Sequence, residues 1–287
     1  MLRNTLSPIS PTSHPHPWRS GALYVILCLV FLLLPLAARG AVPDSLRITE
    51  HRWLFGLIGR QNVLDTYLSP YEYTGSTHGT LHRTERPAHF GTGAEKIVMQ
   101  MSTNFSYDKS PTEDGKIIDL NITLGGGLTH DFRVTPRLRL IAGGLLEGFG
   151  GFTYNTRNGN NPAQVRLQAD LAATAAAEYD FRCFHRTFRA RLQGDMPLVG
   201  VMFAPHYGQS YYEILNLGNR DHNVRCTYPG NAPSFRILST LDIPLRKITL
   251  TVGYHADIRQ SYVNDLKRHG WSNQLVLGFV RHVRHVR

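Results

Sequence analysis

The stretch VRLQADLAATAAAEYDF, Val165 to Phe181, decides the fold. Val165, Leu167, Ala169, Leu171, Ala173, Ala175, Ala177, Tyr179 and Phe181 share one parity. Arg166, Gln168, Asp170, Thr174, Glu178 and Asp180 share the other. A period of two places successive side chains on opposite faces of a β-strand. Soluble strands run about 5–6 residues, and a strand crossing a bilayer needs about 9–11. A run this long, with charges of both signs at mid-strand, fits a transmembrane barrel with an apolar exterior and a polar lumen. A β-sandwich with its apolar face inward is the alternative.

The same alternation recurs along the chain. Ile118, Leu120, Ile122, Leu124 and Leu128 oppose Asp119, Asn121 and Thr123. Phe188, Ala190, Leu192, Met196 and Leu198 oppose Arg189, Arg191, Gln193 and Asp195. Ile248 to Ile258 alternates likewise against Thr249, Thr251, His255 and Asp257. Strands are expected near 47–60, 75–87, 96–107, 116–131, 137–154, 164–181, 187–202, 234–244, 247–259 and 271–284. Short connections (131–137, 181–187, 244–247) alternate with longer ones, as periplasmic turns alternate with outer loops. The sequence therefore predicts an all-β, antiparallel up-and-down barrel of about ten strands, with eight or twelve as alternatives. Its outer loops are expected at 62–75, 155–164, 203–233 and 259–270.

Before the first strand, Ala22 to Ala38 is apolar and Ala38-Arg39-Gly40 offers small residues ahead of Ala41. This reads as a cleaved secretory signal over 1–40, leaving 41–287 as one barrel domain. Loss of Arg3, Arg19 and Arg39 takes the formal charge from +10 to +7. The expected location is the outer membrane of a Gram-negative bacterium. Cys183 and Cys226 are the cysteines left. They fall at opposite ends of the barrel, too far apart for a disulfide.

A barrel of this size is just filled by side chains. Its inward positions are expected to include Asp119, Arg139, Glu147, Arg166, Asp170, Glu178, Arg189, Arg191, Asp195, Arg236, Asp242 and Asp257. Unpaired, each would cost several kcal/mol to bury, so a salt-bridged plug is expected, with a selective pore that passes a small polar ligand as the alternative. The outer end gathers Tyr, Asn, Gln and Asp. Asp65, Tyr67, Tyr71, Tyr207, Gln209, Tyr211, Tyr212, Asp221 and His222 are candidates for binding a small polar ligand there, because Tyr offers a flat face with a polar tip.

LDTYLSPYEYTG (64–75), YNTRNGNNPAQ (154–164), MFAPHYGQSYYEI (202–214), GNRDHN (218–223), GYHADIRQSYVNDLK (253–267) and HGWSN (269–273) resemble the domain-of-unknown-function family 3316. The resemblance covers roughly 45 to 285. It implies an exported outer-membrane barrel and brings no established activity and no catalytic residues. One departure is that the chain continues VRHVRHVR beyond Phe279, where barrel proteins commonly end on an aromatic residue.

Chemistry is weakly signalled. Outer-membrane lipid hydrolases place a His and a Ser on one outward strand face, so that the imidazole serves as base. His269 and Ser272 are three apart and share a face only if Gly270 is bulged. A lipid-modifying hydrolase and a structural or assembly barrel without ligand are the alternative functions. No cofactor and no metal site is expected. The basic charge forms no stripe with stacking aromatics, so nucleic acid is not an expected partner. Outer-membrane lipid, the barrel-assembly machinery and a small polar ligand are.

Overall fold

A computed structural model describes residues 48–159, 161–246 and 248–284. The segment 1–40 read as a signal lies outside these residues. Eleven strands and one short helix follow in order. They are β1 (Ile48–Asp65), β2 (Tyr73–Pro87), β3 (Glu95–Lys109), β4 (Lys116–Arg133), β5 (Leu138–Asn155), β6 (Ala163–Cys183), β7 (Arg186–Phe203), the helix α1 (Tyr211–Leu215), β8 (Val224–Thr227), β9 (Ser234–Pro244), β10 (Thr249–Val263) and β11 (Leu266–Arg284). Every ladder is antiparallel, and β1 pairs with β11 from Ile48↔Arg284 to Asp65↔Arg268, closing the sheet. Ten strands form the barrel. The four-residue β8 caps the outer end of β7.

Burial is inverted relative to a soluble protein. The largest fully buried side chains are Arg52, Arg83 and Arg191, whereas Ile58 is 69% and Leu146 64% exposed. Arginine is almost never fully buried in a water-soluble fold unless paired. An apolar exterior around a charged interior is the arrangement a bilayer favours, and it excludes the sandwich.

The register explains two local departures. In β1 the pairing with β11 shifts between Gly56 and Ile58. Leu57 and Ile58 are consecutive and both exposed, so the inward parity passes from Arg52 and Leu54 to Gln61, Val63 and Asp65. Between β6 and β7 the shift lies at Leu171/Ala172, opposite Val199 and Pro197. Pro197 has no N–H to contribute, and a bulge is where a strand tolerates it.

Several connections are shorter than the sequence suggested. The expected loop 259–270 is strand, except for the turn Asn264–Asp265. Both turn residues have positive φ, 52° and 61°, which suits a two-residue hairpin turn. Strand ends that project past the apolar band are polar on both faces, so the alternation fades before the strand does. For the same reason 62–75 contracts to a connection over 66–72, and 155–164 to one over 156–162. The segment between β7 and β9 remains the longest connection, with α1 and β8 inside it.

Candidate functional site

All twelve candidate lumen residues lie along the inside of the barrel, and their partners often come from distant strands. At the periplasmic end, Arg52 (β1) donates to both oxygens of Asp242 (β9), each at 2.8 Å. Arg191 (β7) donates to Glu178 at 2.6 Å and, across the lumen, to Glu85 (β2) at 2.7 Å. Arg139 also reaches Glu178, and Arg189 donates to Asp180 at 2.7 Å. At mid-barrel, Arg236 (β9) donates to both oxygens of Glu147 (β5). Gln100 (β3) bridges Glu147 at 3.0 Å and Asp195 at 3.3 Å. Toward the outer end, Arg166 donates to Asp119 at 2.7 Å, and Arg259 donates to Asp257 at 3.0 Å and to Thr123 (β4) at 2.9 Å. Asp170 accepts from Gln168 at 2.9 Å.

Sequence reasoning missed Arg52, Arg83, Glu85, Arg259 and Arg268. The β1 bulge hid Arg52 by switching parity. Arg83 and Glu85 sit on β2, whose outward positions Thr74, Ser76, His78, Thr80, His82 and Thr84 are themselves polar, so no alternation marks the strand. Arg259 and Arg268 fell within the supposed loop 259–270. Their signal was an Asn-Asp turn flanked by strand-length segments.

Above this network the outer connections are stitched into a lid. Tyr67 donates to the Gln209 carbonyl at 2.9 Å, and its ring meets Tyr211 edge-on at 6.1 Å. Gln209 is buried. Its amide donates to the Asn219 carbonyl and its oxygen accepts from Asn223 and from the His206 backbone. The Tyr211 hydroxyl accepts from the Val165 backbone N–H at 2.7 Å. Ser210 caps α1 reciprocally with Glu213. Asn264 donates to the carbonyls of Ala204 and His222, tying the last hairpin to the same segment. Burial raises the Tyr67 phenol to about 12, helped by the neighbouring Tyr211, Asp65 and Glu213. Burial also raises Tyr211.

The nine candidate mouth residues therefore divide. Asp65 is 1% exposed and faces Arg268 at 3.6 Å beneath the lid. With Tyr67, Gln209 and Tyr211 it belongs to the closure. Tyr71, Tyr207, Tyr212, Asp221 and His222 are exposed on the solvent side, with Asp221 and His222 3.0 Å apart. They do not converge with the first four on one pocket. The cavity beneath the lid, near Asp65, Arg166 and Arg268, is about 30 Å³, and another near Gln100 and Arg236 is about 20 Å³. Such spaces hold a water or two.

The hydrolase alternative loses its geometry. His269, Gly270, Trp271 and Ser272 pair in unbroken register with Leu64, Val63, Asn62 and Gln61, so Gly270 is not bulged. Ser272 faces the lumen and accepts from Gln274 at 3.1 Å. His269 faces outward, stacked on Trp271 and 3.4 Å from Glu72. Cys183 and Cys226 are free thiols, one beside the β6–β7 turn and one on β8. Among the described residues, no group of His, Cys, Asp or Glu is placed to hold a metal ion.

With a lidded, ion-paired barrel in view, one comparison decides the kinship. The model of a family described as proteins of unknown function, DUF3316, matches residues 24–287. The chain belongs to the DUF3316 family. No curated protein matches this DUF3316 member at the sequence level. Its fold is that of an outer-membrane β-barrel. Among solved structures it is similar to the outer membrane protease OmpT from Escherichia coli, at 7% identity and TM-score 0.47, covering 83% of this chain and 97% of that one. It is also similar to Ail of Yersinia pestis, at 10% identity and TM-score 0.34, covering 81% and 99%. Neisserial surface protein A is a third, at 10% identity and TM-score 0.34, covering 83% and 97%.

Proposed function

We propose that this protein is a closed, non-conducting barrel of the outer membrane that binds a small polar ligand on the outer surface of its lid. The observation that carries this reading is the division of the lid's side chains. Its buried groups bond chiefly to one another, Asn223 Oδ1 excepted, while Tyr71, Tyr207 and Tyr212 keep more than half of their surface exposed. Exposed Tyr rings cost little conformational entropy on binding and offer both a stacking face and a hydroxyl. Asp221 and His222, exposed at the same outer end and 3.0 Å apart, supply an acceptor and a ring N–H donor. Saccharide-type ligands, with apolar ring faces and rimming hydroxyls, match that chemistry. Outer-membrane placement is supported by the exposed apolar band and by strands of 11 to 21 residues.

The test is binding of a panel of neutral and acidic oligosaccharides to the folded protein, read by saturation-transfer NMR. Binding that Tyr207→Ala and Tyr212→Ala weaken at least tenfold supports the reading. No binding by the wild type, or binding that both variants leave unchanged, contradicts it.

A further inference from the structure

The outer wall of the barrel is not uniformly studded with large side chains. Where β4, β5 and β6 run side by side, the outward positions Gly126, Ala142, Gly144 and Ala173 are small. Register sets Leu128 beside Gly144 and Gly144 beside Ala173. A Cβ added at Gly144 would meet nothing nearer than the Ala172 carbonyl oxygen at 3.8 Å, and one at Gly126 nothing nearer than 3.9 Å. Leu146 and Leu171 stand above this floor, and Phe132 and Phe90 stand at its lower end. They enclose a groove of about 370 Å³, lined mostly by carbon, with Glu95, Thr129 and His130 also on its lining. With the long connections facing outside, the groove lies in the periplasmic half of the membrane.

Charge beneath the groove is one-sided. At the periplasmic end, Arg86, Arg133, Arg137, Arg182, Arg246 and Arg281 are exposed. Four carboxylates at the same end are withdrawn into the lumen: Glu85 pairs with Arg83 and Arg191, Asp131 with Lys96, Asp180 with Arg189 and Asp242 with Arg52. Glu95 instead faces outward at the groove's lower end, where it is buried, accepts from the Thr92 and Gly93 backbone N–H groups and lies 3.3 Å from His130. The rim therefore presents free guanidinium groups to the headgroup layer with no exposed carboxylate beside them among the described residues. Arg133 ends β4, next along the chain from the groove residue Phe132, and Arg137 is the last residue of the β4–β5 turn.

We infer that the β4–β6 wall is a binding site for an anionic glycerophospholipid of the periplasmic leaflet. One acyl chain lies in the groove floored by Gly126 and Gly144, and the phosphate meets Arg133 and Arg137. An acyl chain fills the depression with matching apolar surface, and arginine pairs with phosphate through its two-pronged donor geometry. The inference rests on the membrane reading above but not on the lid or its ligand.

The test uses the full mature chain folded into vesicles of equal phosphatidylglycerol and phosphatidylcholine, then extracted for native mass spectrometry. Failure of the wild type to insert contradicts the membrane reading and the lipid site with it. Given insertion, the expected result is one retained phosphatidylglycerol per barrel, preferred by about five-fold per arginine engaged. Arg133→Gln with Arg137→Gln is expected to remove the preference. Gly144→Leu is expected to fill the groove and to remove retention of both lipids, while the barrel keeps its folded electrophoretic mobility. Should Gly144→Leu fail to fold, the arginine pair, on the exposed rim, decides alone. Equal retention of the two lipids by the wild type, or a preference that survives the arginine double variant, overturns the site.

Discussion

One guanidinium nitrogen of Arg236, on β9, donates to both carboxylate oxygens of Glu147, on β5, at 2.5 and 2.6 Å. The two strands are separated by β6 and β7 around the barrel, so this pair is a strut through the lumen rather than along the wall. Arg52–Asp242 and Arg191–Glu85 repeat the device nearer the periplasm. Such pairs fix the interior because breaking one leaves a buried charge without its partner.

Removing one end of the strut is therefore expected to cost more than removing both. Glu147→Ala leaves Arg236 buried with only the longer contact to Asp195, at 3.9 Å, and should destabilise the barrel by about 3–5 kcal/mol. The double variant Glu147→Leu, Arg236→Met should recover most of that loss. Urea unfolding in lipid vesicles, followed by tryptophan fluorescence, measures both. Equal stability of the single variant and the wild type would remove the strut from the account.

The lid should respond to alkali in a defined window. Tyr67 is raised from the ordinary phenol value near 10 to about 12 by burial. The folded state thus holds this proton more tightly than the unfolded chain does. The stability it contributes is complete below pH 10 and is lost as pH rises through 12. Proteolysis of the 204–223 segment is expected to accelerate between those values in the wild type. Tyr67→Phe has no such proton to lose and should not show that increment.

The helix α1 has five residues and depends on its cap. Ser210 accepts from the Glu213 backbone N–H, and the Glu213 carboxylate accepts from Ser210 in return. Ser210→Ala should destabilise the segment by about 1 kcal/mol. Hydrogen exchange at residues 210–216 should rise roughly five-fold, with the barrel strands unchanged.

The exterior can be tested in the same way. Leu146 is 64% exposed at mid-barrel. Leu146→Arg should cost about 2–4 kcal/mol in a bilayer and far less in a detergent micelle. Equal cost in both media would argue against a lipid-facing position.

The barrel was legible in the sequence wherever one strand face met lipid and the other met the lumen. Strands β4, β6 and β10 satisfy that condition, and their inward charges could be named from parity. Legibility failed for three physical reasons. The bulge at Leu57 and Ile58 reversed the parity of β1 and concealed Arg52. The polar outward face of β2 removed the contrast that would have marked Arg83 and Glu85. Beyond the apolar band, β10 and β11 lose alternation, so Arg259 and Arg268 looked like loop. For the mouth, composition identified residues that cluster at the outer end. It could not separate Tyr67 and Gln209, which hold the lid shut, from Tyr207 and Tyr212, which face solvent. That distinction depends on backbone carbonyls brought together only by the fold.

These struts beneath the stitched lid are expected to close the lumen to ions. Single-channel recording of the folded barrel in a planar bilayer reads this closure. No stable current steps are expected from the wild type. Steps are expected only when the struts Glu147–Arg236 and Glu85–Arg191 are both replaced by alanine and the lid is loosened by Tyr67→Phe and Gln209→Ala. Discrete, long-lived steps from the wild type would contradict the closure.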